Sequence, residues 1–362
     1  MVKVPFLAGA AALAVSAAAF PLPSGPNGTL TCDDVTPDLC SDLVYTSHSM
    51  AVKGFTLKYW KYSSTKTDHT NPTLVGIHGG PGGDHQYLLP LKQLACRGFP
   101  VILYDQVGAG ESDRPTEKEA PWLYTLDYYV EELGDLVGHA GLSSFFVLGH
   151  SWGGVVAQLY AIQRHDDKRM KALVLASIFS DPDVYVKGQW DYRLNTLPEV
   201  TQAILKDADR KKEYDSPAYQ AVNAQLTGFF TIRTSPMPDC VQWSLGHINE
   251  DIYVKMQGAS EFTVGGALAK FNTTEKLKEF VRVPTLITGG EFDTMTPPVL
   301  DLLHNSIPGS QLTVFPTSAH MTTIDAAGPM NDRLEEFFND VLSGKLHKAT
   351  EADQRQAELR RM

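Results

Sequence analysis

The chain has 362 residues, 43% of them hydrophobic, and a formal net charge of −11. That length suits one large α/β domain with an insertion, or two small domains. The acidic balance, with no basic patch, argues against a nucleic-acid partner and fits a soluble enzyme while saying little about its substrate.

In chain order, residues 1–19 read as a secretory signal, with Lys3 before an Ala/Leu/Val-rich run that is short for a bilayer span. Ala17-Ala18-Ala19 offers small residues for cleavage before Phe20, and Pro21, Pro23 and Pro26 oppose continuation as a membrane anchor. Export without stable membrane association is therefore the expectation. It gives meaning to the sequons at Asn27 and Asn272 as glycosylation acceptors. Residues 20–49 are expected to form a weakly structured leader unless bridged. Of the four cysteines, Cys32 and Cys40 are near neighbours that could close a small loop, with Cys96 and Cys240 as the remaining pair. Four cysteines allow three pairings, and Cys96 also fits a buried thiol.

A first part of a core is predicted over residues 50–180, with strands at 55–62, 73–77, 101–104, 145–148 and 172–176 and helices at 86–97, 126–140 and 153–164. Residues 181–274 break this rhythm with aromatic-rich helical stretches and read as an inserted helical cap. The core resumes over 275–344 with strands at 283–288 and 312–315 and helices from Pro297 and Pro329. Residues 345–362 form a charged tail. Strand–helix alternation predicts an α/β fold, a mostly parallel doubly wound sheet with helices on both faces.

The chemistry centres on Gly149-His150-Ser151-Trp152-Gly153, flanked by a strand and a helix, which makes it a nucleophile elbow with Ser151 as nucleophile. Flanking glycines leave room for the turn, and the Trp152 N–H, at a helix start, points at developing negative charge. A serine hydroxyl needs a base and the base an orienting acid. In such sheets these lie after strand carboxyl ends. There stand Asp293, in Gly289-Gly290-Glu291-Phe292-Asp293, and His320, in Pro316-Thr317-Ser318-Ala319-His320. Glu291 competes as the acid; Asp301, His304 and His347 lie within or beyond helices. The order Ser, Asp, His is that of an α/β-hydrolase. Gly79 and Gly80, after the 73–77 strand, are expected to supply the second oxyanion donor.

These motifs together resemble the proline iminopeptidase family of α/β-hydrolases. The matching pieces are His78-Gly79-Gly80-Pro81-Gly82, Asp105-Gln106-Val107-Gly108-Ala109-Gly110-Glu111-Ser112, the Ser151 elbow, Gly290-Glu291-Phe292-Asp293 and Met256-Gln257-Gly258-Ala259-Ser260-Glu261-Phe262-Thr263-Val264. The resemblance spans residues 55–342. It implies a cap-covered serine hydrolase that removes an amino-terminal residue, often proline, from short peptides or amides, with Glu261 binding the substrate ammonium. No cofactor and no metal are expected. The family's usual second cap glutamate has no counterpart over residues 226–233. That leaves room for an esterase, amidase or lactonase. An epoxide hydrolase or dehalogenase would carry Asp at the elbow, and a non-catalytic scaffold would have lost triad members.

Overall fold

The computed structural model describes residues 29–346. The predicted signal, Asn27, His347 and nearly all of the charged tail lie outside them. Eight strands form one sheet in the order β1-β2-β4-β3-β5-β6-β7-β8: β1 (Val44–Val52), β2 (Phe55–Ser63), β3 (Thr73–Ile77), β4 (Val101–Asp105), β5 (Phe145–His150), β6 (Met170–Ala176), β7 (Thr285–Gly290) and β8 (Gln311–Phe315). β1 and β2 pair antiparallel with each other and β2 with β4; every other pairing is parallel.

The central strands are apolar throughout because both faces are covered. Leu74, Leu103, Phe146, Leu148 and Val174 point into one core cluster, and Val75, Ile102, Val147, Leu173 and Leu175 into the other. The helices α1 (Leu126–His139) and α2 (Trp152–Gln163) bury Leu133, Leu136, Val155 and Val156 on the second face. A 3₁₀ helix at Gln86–Arg97 covers the first, together with the terminal helix described below.

Between β6 and β7 run α3 (Pro182–Tyr192), α4 (Glu199–Lys211), α5 (Pro217–Leu226), α6 (Asp239–Gly246) and α7 (Glu250–Met256). Leu194, Leu205, Tyr219, Leu226, Phe230 and Phe262 give this insertion a core of its own. It is followed by α8 (Thr274–Phe280), and the fold closes with α9 (Pro297–Asn305), α10 (Thr322–Asp325) and α11 (Ala327–Leu342). None of the described helices is long and apolar enough to cross a membrane.

Two expectations are corrected. The leader does not stay irregular up to residue 49, because β1 starts at Val44 and pairs with β2 along its whole length. Its outer half is exposed, so it lacks the apolar alternation that marks a half-buried strand. The small Cys32–Cys40 loop does not form, and Cys96 is not a thiol: the disulfides are Cys32–Cys240 and Cys40–Cys96. Leu30 and Val35 bury their side chains in the cluster that holds Leu91 and Val241. This lays the leader across the 86–97 helix and α6, and each cysteine meets the element beneath it.

Candidate active site

Ser151 sits between β5 and α2 with φ +53° and ψ −125°, a conformation costly for a side chain with a Cβ. Its own N–H donates to the Ala176 carbonyl at 2.9 Å, and its carbonyl accepts from Gly154 N–H at 2.7 Å. A Cβ on Gly149 would collide with the Gly153 carbonyl oxygen, and one on Gly153 with that of Ile77. The elbow's glycines are therefore needed for close approach of helix to strand. Trp152 opens α2, where a helix leaves its first N–H groups without an internal acceptor. Its indole N–H donates to the Gln106 amide oxygen at 3.0 Å, joining the elbow to the loop after β4. That loop folds around the Asp105 carboxylate, which accepts from His85 N–H, the His85 ring and Glu111 N–H, each at 2.8 Å.

The loops after β7 and β8 bring Asp293 and His320 together. His320 Nδ1 lies 2.8 Å from Asp293 Oδ1, which also accepts from Met295 N–H at 3.0 Å. Burial pushes the Asp293 carboxyl up, but the His320 charge and hydrogen bond outweigh it and hold it below the usual carboxylate range. Burial likewise opposes protonation of His320, yet Asp293 raises it above the ordinary histidine value. Glu291 is not the orienting acid here: its carboxylate accepts from Thr317 N–H at 3.1 Å instead. His304 bonds Ser310 and Asp301 lies in α9, both away from this pair.

Ser151 and Gly80 line two cavities, one of about 70 Å³ and one of about 20 Å³. His320, Asn223, Thr227, Thr231 and Leu245 stand on the larger. Phe179, Tyr185, Leu268 and Met295 line the smaller, together with the polar Gln257. Glu261 stands on the wall of both and is the one carboxylate on either among the described residues. One of its oxygens accepts from the Tyr253 hydroxyl, and its backbone carbonyl accepts from Tyr185 Oη at 3.0 Å and Gln189 Nε2 at 3.3 Å. Burial raises its carboxyl, with the Tyr253 bond and the His320 charge pulling the other way.

One donor is reassigned. The Gly79 N–H goes to the Tyr87 hydroxyl at 2.6 Å and is spent. At Gly80, φ is +119° and a Cβ would lie 2.5 Å from Gly83 N, so only glycine fits the turn beside Ser151. No sequence motif marks Tyr87 or Tyr253. His150 does carry a signal, as a polar residue that ends an otherwise apolar strand inside the elbow. Asn272 is exposed beside α8, its amide donating to Asp181 at 2.8 Å.

Residues 72–327 match the model of the alpha/beta hydrolase fold family. The chain is 34% identical over 285 residues to a proline iminopeptidase of Saccharolobus solfataricus, covering 78% of this chain and 89% of that one. It is 34% identical over 282 residues to a proline iminopeptidase of Thermoplasma volcanium, covering 77% and 93%. Its fold is similar to the crystal structure of proline iminopeptidase from Mycobacterium smegmatis, with a TM-score of 0.75 at 24% identity over 82% of this chain and 98% of that one. An eight-stranded sheet of this order, a serine at the β5–α2 elbow and these relatives together place the chain in the proline iminopeptidase family of α/β-hydrolases.

Proposed function

We propose that this protein is a serine aminopeptidase that releases a single amino-terminal residue, proline or another small apolar one, from short peptides or amino-acid amides. The observation that carries this reading is the position of Glu261, on the shared wall of two cavities that both reach Ser151. A carboxylate there holds the free ammonium of a substrate whose first side chain fills the smaller cavity against Phe179, Leu268 and Met295, and the rest of the peptide leaves through the larger one. Single-residue removal follows, because the ammonium is anchored beside the nucleophile.

In this reading His320 takes the Ser151 proton as Oγ attacks the first carbonyl, and Asp293 holds the imidazole in the required tautomer. Gly80 N–H and Trp152 N–H receive the oxyanion. His320 then hands the proton to the departing amine, leaving an acyl-enzyme that water cleaves by the same route. The insertion between β6 and β7 acts as the cap that contributes Glu261.

Glu261→Gln keeps size and removes charge. A charge-assisted contact contributes about 1.5–3 kcal/mol, so kcat/KM on free-amine substrates should fall about tenfold to a hundredfold. Acyl esters without an amine should be barely affected, and N-acetylation should cost the wild-type enzyme a similar factor. Equal loss on both substrate kinds would make Glu261 structural. The second reading, an esterase, amidase or lactonase, draws support from the larger cavity carrying Asn223, Thr227 and Thr231 and no carboxylate besides Glu261 among the described residues. No loss on either substrate kind would favour it.

Export is also proposed, with cleavage before Phe20 and glycosylation at Asn27, Asn272 or both. The apolar amino-terminal run and the pairing of all four cysteines support it. The intact mass of protein from its native host tests it.

A further inference from the structure

A directional hydrogen-bond chain runs along the wall of the larger cavity and touches three of the site's loops. The Gly79 N–H donates to Tyr87 Oη at 2.6 Å, Tyr87 Oη lies 2.8 Å from His150 Nδ1, and His150 Nε2 lies 2.8 Å from the His320 carbonyl oxygen. The two ends determine the protons between them. A backbone N–H can only donate and a carbonyl can only accept. His150 therefore carries its proton on Nε2, and the tyrosine hydroxyl donates to Nδ1. The rings pack edge-on as well, Tyr87 on His150 with centroids 5.2 Å apart and His150 on His320 at 5.0 Å.

We propose that Tyr87 and His150 are positioning residues, which lock the oxyanion loop at Gly79, the nucleophile elbow and the base loop at His320 into one register. This inference rests on the serine-hydrolase reading of Ser151. Because Tyr87 takes the Gly79 N–H, the next N–H along, that of Gly80, is left to the substrate, and the peptide plane between them is aimed. Gly79 has no room to shift: a Cβ on it would lie 2.8 Å from Tyr87 Oη and 3.0 Å from the Ser151 Cβ. The backbone carbonyl of Tyr87 accepts from the Thr323 hydroxyl at 3.2 Å, a second tie to the segment after His320. Burial and then the nearby His320 charge push the His150 imidazole down to about 3, and burial pushes the Tyr87 phenol far up. Both stay neutral, so the chain keeps one polarity over the working range.

The test compares Tyr87→Phe, His150→Asn and His150→Leu with wild type and Ser151→Ala. The measurements are turnover of proline p-nitroanilide per site titrated with a fluorophosphonate, and the affinity of a proline boronate. Losing one oxyanion donor costs about 10²–10³ in turnover. Misaiming it by Tyr87→Phe should lower kcat per titrated site about 10- to 100-fold, with KM changed less than about threefold and boronate affinity falling in step with kcat/KM. His150→Asn keeps a polar partner for Tyr87 and should retain at least about tenfold more activity than His150→Leu. A purely structural role would reduce the titratable fraction and leave kcat per site unchanged. Wild-type kcat per site in Tyr87→Phe, or equal activity in the two His150 variants, overturns the inference alone. Wild-type turnover in Ser151→Ala overturns the serine reading, and this inference falls with it.

Discussion

Ser151 occupies a region of backbone space, φ +53° and ψ −125°, that costs a residue with a Cβ about 1–3 kcal/mol. The elbow holds it there through the 2.9 Å bond of its N–H to Ala176, in a turn packed too tightly for larger neighbours. Two outcomes follow from separating hydroxyl from strain. Ser151→Ala keeps the strain and should fold with wild-type stability while losing nearly all hydrolysis. Ser151→Gly relieves it and should unfold at a free energy about 1 kcal/mol higher than the alanine variant, by urea titration. Greater stability of the alanine variant would mean that the elbow stores no strain. At the base, only neutral His320 can accept the serine proton. Asp293 raises its affinity for a proton, so kcat/KM should fall as pH drops through a midpoint above the ordinary histidine value of about 6.5. In Asp293→Asn burial remains and the raising charge is gone, so the midpoint should move to lower pH while the plateau drops on the order of 10⁴. A pH–rate profile of both proteins checks the sign of the shift.

At the scale of elements, the insertion is bonded to the base loop through the backbone itself. His320 N–H donates to the Phe230 carbonyl at 3.1 Å and Met321 N–H to that of Thr231 at 2.8 Å. Just beyond, the Asp325 carboxylate accepts from Arg233 N–H, Thr234 N–H, the Thr234 hydroxyl and Ala319 N–H at 2.7–3.1 Å. From the other side, Arg193 donates to the carbonyls of Asp293 and Glu291 at 3.0 and 2.5 Å. Asp325→Ala leaves several inward-facing donors without a partner, so it should cost about 3 kcal/mol or more. Amides of residues 230–234 and 318–321 should then exchange with deuterium faster and together, with those of β5 unchanged. Independent exchange of the two segments would show that they are not coupled. None of these ties is visible in the sequence, since Arg193, Arg233 and Asp325 carry no pattern and reach their partners only in the folded chain. What the sequence does reveal is local. β3 through β7 announce themselves as apolar runs because they are covered on both faces, and Asp293 and His320 are found by counting strand ends. β1 hides behind exposed polar residues, although the Lys53–Gly54 turn, with both residues at positive φ, is a two-residue hairpin signal. The cysteine pairing hides for a further reason, that Cys32 and Cys240 are 208 residues apart.

At the scale of the whole molecule, that distant pairing makes the leader a strap across the site's outer wall. Cys32–Cys240 ties it to α6, whose Ser244 and Leu245 line the larger cavity. Cys40–Cys96, closing a span of 56 residues, ties it to the far end of the helix that starts beside Tyr87. Loops of these lengths correspond to about 5 and 4 kcal/mol in the chain-entropy picture, and measured values for native disulfides run about 2–4 kcal/mol. The two bridges should therefore cost similar stability when removed and differ in what else they disturb. The Cys32→Ala/Cys240→Ala pair removes the covalent tie between α6 and the leader, and leaves the Asp239 N–H on the Leu30 carbonyl at 2.8 Å, packing through Val241 and the Ser244 hydroxyl on Asp84. The loops carrying Ser151, Asp293 and His320 are bonded to β6, β7, β8 and the 230–234 segment, not to α6. KM for short peptides should therefore rise severalfold with kcat nearly constant, and dithiothreitol should reproduce the effect in the wild-type protein. The Cys40→Ala/Cys96→Ala pair should lower the unfolding free energy by a similar amount and leave KM unchanged. If both pairs change stability alone, packing suffices to hold α6 on the cavity and the leader is a brace for the fold. If both raise KM equally, the wall responds to the stability of the whole fold rather than to its own tether.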